Sequence, residues 1–187
     1  MTRSRILLAT FIAVHALGGS PLIAAQRLVD VREVPTDTLR DVALVTYERG
    51  RPVIYYNPIL MQRLGPNLAD YFMAHEYGHV ANGDAGAALT LGGTDVGALR
   101  QRQELAADCY ATTALAERNG ASVAAALQFF TRMGPFRFDN LHPTGAQRAA
   151  KILACLPSGV ELPSGDEALP IRWTAPPAAT PAPTIIQ

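Results

Sequence analysis

The chain reads as one α+β domain, mostly helical, with a small β-hairpin near its start. Three observations predict this. The run DVALVTYERGRPVIYYNP places two segments rich in β-branched and aromatic residues on either side of a Gly-containing turn. The segments that follow it have helical composition and are separated by Asn-Gly, Gly-Pro and other breakers. At 187 residues the chain suffices for one well-cored domain and is short for two.

In order, Val42 to Tyr47 and Pro52 to Asn57 are the expected strands, joined by Glu48-Arg49-Gly50-Arg51. Ile59 to Leu64 reads as a short helix closed by Gly65. Pro66-Asn67 opens a helix expected to reach about Ala81, where Asn82-Gly83 stops it, with Leu68, Phe72 and Val80 for packing. The Gly- and Ala-rich stretch 84–97 reads as a loop, with Asp95 placed to cap the next helix. That helix fits Gly97 to Arg118. A further one fits Ala121 to Met133, and a last one runs from about Thr144 to Leu156. From Pro157 onward prolines recur in a tail too poor in apolar periodicity to fold, within which Trp173 is the residue suited to local docking. The organisation is therefore 1–25 leader, 26–156 folded domain and 157–187 disordered tail.

The leader rests on Arg3 and Arg5, the apolar run Ile6 to Leu17, and Gly-Gly-Ser-Pro before the small pair Ala24-Ala25. This is the layout of a cleavable secretory signal, and the apolar run is short for a membrane span. The reading implies an exported chain, periplasmic or secreted, with no stable membrane insertion after cleavage. Without Arg3 and Arg5 there remain 14 basic and 16 acidic residues, a net charge near −2. With Lys151 the sole lysine and no basic run, nothing points to a nucleic-acid partner. Export allows Cys109 and Cys155 to pair, but two unbridged buried thiols fit the sequence equally well.

The chemistry concentrates in HEYGHVANGD, His75 to Asp84. On a helix, His75 and His79 lie about 40° apart, so both imidazoles reach one ion. Glu76 falls about 60° beyond His79, beside the ion but directed past it, where a carboxylate can act on a bound water. A catalytic zinc needs a third protein ligand and one open position. QELAADCYA offers Glu104 for that ligand and Asp108, one turn on, to accept the far N–H of a ligand histidine. Asp84 is the poorer ligand candidate. His142, in LHPTGAQRAAK, reads either as part of the site or as a helix-entry residue ahead of a Thr144 cap.

Together HEYGHVANGD, ELAAD and HPTGAQR resemble the gluzincin peptidases of the HtpX-like and CAAX-prenyl-endopeptidase-like family. The resemblance spans about Met73 to Arg148 and implies a zincin-like core in a minimal, soluble form. It implies that His75, His79 and Glu104 bind Zn2+, that Glu76 is the base and that Asp108 supports a ligand. It also implies that His142 and Arg148 lie at the edge of the active site, where either can hold a developing oxyanion. The expected function is zinc-dependent hydrolysis of peptide bonds, with envelope protein quality control as the family-level setting. A polypeptide substrate would add as a strand to the hairpin edge, through Pro52 to Asn57. The competing expectation is a non-catalytic zinc-bearing envelope protein whose metal site is closed by His142.

Overall fold

The computed structural model describes residues 30–84 and 96–164. The leader, the Asp95 cap, Trp173 and the tail beyond residue 164 lie outside those residues. Within them the protein is α+β and mostly helical, with one small sheet.

Strands β1 (Arg32–Pro35), β2 (Ala43–Glu48) and β3 (Arg51–Tyr56) form that sheet in the order β1-β3-β2. β2 and β3 make the expected antiparallel hairpin, pairing Leu44 with Tyr55 and Thr46 with Val53. Its turn is only Arg49-Gly50, at φ 52° and 77°. Two left-handed residues in a row are what a two-residue hairpin turn demands, and Gly50 adopts that conformation without a Cβ penalty. Strand β1 was not expected, because REVP is short, contains a proline and has no alternation. It is held by parallel pairing with β3, from Arg32 opposite Val53 to Pro35 opposite Tyr56. This pairing corrects the expected docking edge. β3, with Pro52 to Tyr56, is flanked on both sides, so the edge left for an incoming strand on the hairpin is that of β2.

The helices are α1 (Pro58–Leu64), α2 (Pro66–Asn82), α3 (Val96–Leu115), α4 (Gly120–Met133) and α5 (Gly145–Cys155). Asn57 caps α1, its Oδ1 accepting from the backbone N–H of Ile59 at 2.9 Å and Leu60 at 3.1 Å. Gly83 ends α2 in the left-handed conformation, and its N–H returns to the carbonyls of His79 and Val80. α3 stops three residues short of the expected Arg118. α5 opens on a capping box, in which Thr144 Oγ1 accepts from Gln147 N–H and Gln147 Oε1 accepts from Thr144 N–H.

Tyr71, Leu115, Phe130 and Ile152 are wholly buried in the main core, where α2, α3, α4 and α5 meet. A second cluster of Ala43, Ile54 and Met61 joins the sheet to α1 and α2. Leu162 packs against the main core, so an apolar residue within the Pro-rich stretch is attached to the domain. Between α3 and α5, Cys109 and Cys155 form a disulfide with Cα atoms 5.3 Å apart, which decides between the two sequence readings.

Helices α2 and α3 run antiparallel in close contact. Tyr71 faces Asp108 and Thr112, and Asp84 at the other end faces Gln103. The approach is close at Gly78, where an added Cβ would lie 2.9 Å from both Cα and O of Ala107. Only glycine permits that spacing. Gly78→Ala should therefore destabilise the domain, since an overpacking cost of about 1–3 kcal/mol outweighs the roughly 1 kcal/mol of helix propensity gained. Urea unfolding with the disulfide intact checks this; equal or greater stability of the variant contradicts it.

Candidate metal centre

His75 and His79 both point from α2 toward α3, one turn apart, as their spacing predicts. Their Nε2 atoms are 3.1 Å apart. Glu104, reaching in from α3, places Oε2 3.2 Å from Nε2 of His75 and Oε1 3.3 Å from Nε2 of His79. These three residues form a group able to hold a metal ion. An ion bound tetrahedrally at about 2.0 Å has ligand-to-ligand edges of about 3.3 Å, so the donor separations match such a shell.

The other ring nitrogens fix the direction of the lone pairs. Nδ1 of His75 is 3.0 Å from Asp108 Oδ1, and Nδ1 of His79 is 2.9 Å from Asp84 Oδ2. An ionised carboxylate only accepts, so each Nδ1 carries the proton and each Nε2 presents a lone pair. Two lone pairs and a carboxylate thus face one another across about 3 Å, an arrangement that requires a cation between them. A proton can fill that place. Burial and Arg148 work against an imidazolium at His75, but the hydrogen bonds to Asp108 and Glu104 outweigh them and push it up to about 9. Burial likewise opposes ionised Glu104, yet the two histidines hold its carboxyl well below the usual range.

Asp108 is wholly buried, and its carboxylate meets four polar atoms of three residues. It meets His75 as above, and takes Nε of Arg148 at 2.8 Å and Nη2 at 2.6 Å. The Tyr71 hydroxyl lies 3.4 Å from its Oδ1. Burial opposes the Asp108 charge, but Arg148 and then His75 hold the carboxyl below its ordinary value. Arg148 itself is 3% exposed and stacks 4.1 Å over the Phe130 ring. It stands on the Nδ1 side of His75, behind the donors. Arg148 also borders the cleft, and its Nε and Nη2 are engaged by Asp108.

Glu76 is buried and borders a cleft of about 600 Å³ that also contains His75, His79 and Glu104. Burial raises its carboxyl, with His75 and His79 pulling the other way. It makes no hydrogen bond to any described residue. His142 stands across the cleft, its Nδ1 2.8 Å from Asp139 Oδ1 and its Nε2 3.9 Å from Glu104 Oε2. It belongs to the cleft but not to the three-residue group.

Sequence reasoning missed Asp84 as the residue that orients His79. Its place just past Gly83 was a signal, because a reversed chain brings a residue five positions on back to the imidazole. It also missed Tyr71, Asp139 and Gln103, whose Nε2 donates to the Asp84 carbonyl at 3.3 Å. Nothing among protein-family models, curated proteins or solved structures matches this chain.

Two outcomes follow from this geometry. Asp84→Ala should weaken metal binding about 10–100-fold, measured by competition with a chromophoric chelator, because His79 loses its orienting acceptor. An unchanged affinity contradicts the role. Asp108→Asn leaves Arg148 buried without a counter-charge and should cost about 3–5 kcal/mol in urea unfolding at neutral pH. Since folding depresses the Asp108 carboxyl, its stabilisation is complete above the unfolded carboxyl range and is lost as pH falls. The gap between parent and variant should accordingly narrow in acid, and a constant gap contradicts the pairing.

Proposed function

We propose that this chain is an exported zinc metalloendopeptidase with a zincin-like core of the gluzincin type. The observation that carries the reading is the juxtaposition of the three converging donors with Glu76, buried, without a hydrogen-bond partner among the described residues and facing the same cleft. A donor set of two imidazoles and one carboxylate suits Zn2+ and leaves one position for water.

When bound, zinc supplies a water acidified to a pKa of about 7 and a positive charge beside the substrate carbonyl. Glu76 accepts the proton of the attacking water and delivers it to the leaving amine. Its burial suits the task, since a raised carboxyl affinity for the proton makes it a stronger base. His142, oriented through Nδ1 by Asp139, turns its Nε2 edge toward the position of the carbonyl oxygen. Asp108 and Asp84 hold the ligand rings, and Arg148 holds Asp108.

The substrate is an extended polypeptide. Val42 to Val45 of the β2 edge form one wall of the cleft, so an incoming strand can pair with β2 while its scissile bond lies over the donors. Leu60, Leu64, Phe72 and Phe129 give one end of the cleft an apolar lining suited to a large side chain. Misfolded proteins of the cell envelope are substrates of this kind. No helix among the described residues is long and apolar enough to cross a membrane, and the net charge offers nothing to nucleic acid. A closed, non-catalytic zinc site gives Glu76 no task and His142 too long a reach.

Glu76→Gln should retain zinc at parental stoichiometry and lower hydrolysis of an unfolded casein-type substrate by a factor of about 100 or more. Zinc retention with an unchanged cleavage rate removes Glu76 as the base.

A further inference from the structure

The cleft has two chemically different ends. The antiparallel packing of α2 on α3 sets which residue lies at which. Phe72, one turn before His75, stands at the apolar end with Leu64 and Phe129. Beyond His79, just past the Gly83 cap of α2, Asp84 lies beside the N-terminal half of α3, where Gln103 reaches its carbonyl. Arg100 lies there, one turn before the candidate ligand Glu104 on the same face of α3. It borders the cleft and is half-buried.

Apart from Glu76, which the peptidase reading assigns to the water, the carboxylates that share this cleft have partners. Asp84 accepts from His79, Asp139 from His142, and Asp41 from the backbone N–H of Val42 at 2.7 Å. Glu104 is held by the two histidines. Arg100, by contrast, makes no hydrogen bond or ion pair with any described residue. A guanidinium carries five donors in a planar fork, and a half-buried one without an acceptor is a site for a carboxylate. Arg40 borders the same cleft but is exposed and lies on the loop before β2, so it is less well placed to hold one geometry.

We propose that Arg100 recognises a carboxylate of the bound polypeptide, on the far side of the metal group from the pocket that receives a large apolar side chain. The inference rests on the peptidase reading and gives it a direction. Substrates are segments with an aromatic or branched apolar residue on one side of the scissile bond and a carboxylate on the other. The carboxylate is either an acidic side chain or the free C-terminus of the peptide.

Matched peptides containing one phenylalanine separate these sources. One pair carries Glu or Gln within four residues of the phenylalanine, with an amidated C-terminus. The other pair has no acidic residue and ends in a free carboxylate or an amide. Cleavage by the zinc-loaded full chain is measured as kcat/KM, and affinity is measured on zinc-loaded Glu76→Gln protein. The carboxylate member of at least one pair should be favoured about tenfold or more, the range of a hydrogen bond to a charged partner. That ratio should fall to near one in Arg100→Gln, recover in part in Arg100→Lys and persist in Arg40→Gln. Ratios within twofold of one for both pairs overturn the proposal, as does a preference that survives Arg100→Gln or disappears in Arg40→Gln. If no peptide is cleaved, the peptidase reading fails, while the affinity ratios still decide the role of Arg100.

Discussion

The structure depends on one electrostatic demand, that of three electron-pair donors turned toward a single point. Nε2 of His75, Nε2 of His79 and the Glu104 carboxylate stand 3.1–3.3 Å apart. None can donate to the others while Asp108 and Asp84 hold the imidazole protons at Nδ1. Left without a cation, such a set is repulsive in a buried setting, and bringing it together costs folding energy. A proton relieves part of this, as the raised affinity of His75 indicates. A metal ion relieves more of it, because it satisfies every donor at once.

Much of the helical scaffold can be understood as what holds those donors in place. Gly78 lets α2 approach α3 closely enough for side chains of ordinary length to meet, and it sits between the two histidines it serves. Asp108 ties His75 to Arg148, and so joins α2, α3 and α5 through one buried carboxylate. The Cys109–Cys155 bridge clamps α3 to α5 beside that carboxylate. An ion pair in a core is a weak source of stability by itself. Here the Asp108–Arg148 pair fixes an imidazole tautomer, which is a reason for its being buried.

The sequence revealed those features whose physics is local. Helix α2 and its histidines follow from the 3.6-residue period, and Glu104 and Asp108 follow from sharing a face one turn apart. The Thr144 cap is legible because its partner Gln147 is three residues away. Features that depend on distant contacts were hidden. β1 exists only through β3, and its pairing moves the free edge of the sheet from β3 to β2. The burial of Arg148 over Phe130 and its bonds to Asp108 were hidden as well, because its motif says nothing about either. The reach of Asp84 back to Nδ1 of His79 depends on the turn at Gly83, which the sequence shows only as a helix stop. Arg100 gave no signal beyond its charge, since the lack of a partner for it among the described residues is a property of the assembled cleft.

The central claim is that two imidazoles and one carboxylate of this chain close around one zinc ion and leave a position open. X-ray absorption spectroscopy of the zinc-loaded full chain tests it most directly. The account predicts a four-coordinate shell with two imidazole contributions and two oxygen scatterers at about 2.0 Å, and a spectrum unchanged by His142→Ala. A shell of three imidazoles that loses one in His142→Ala, or a zinc held by cysteine sulfur, would contradict it.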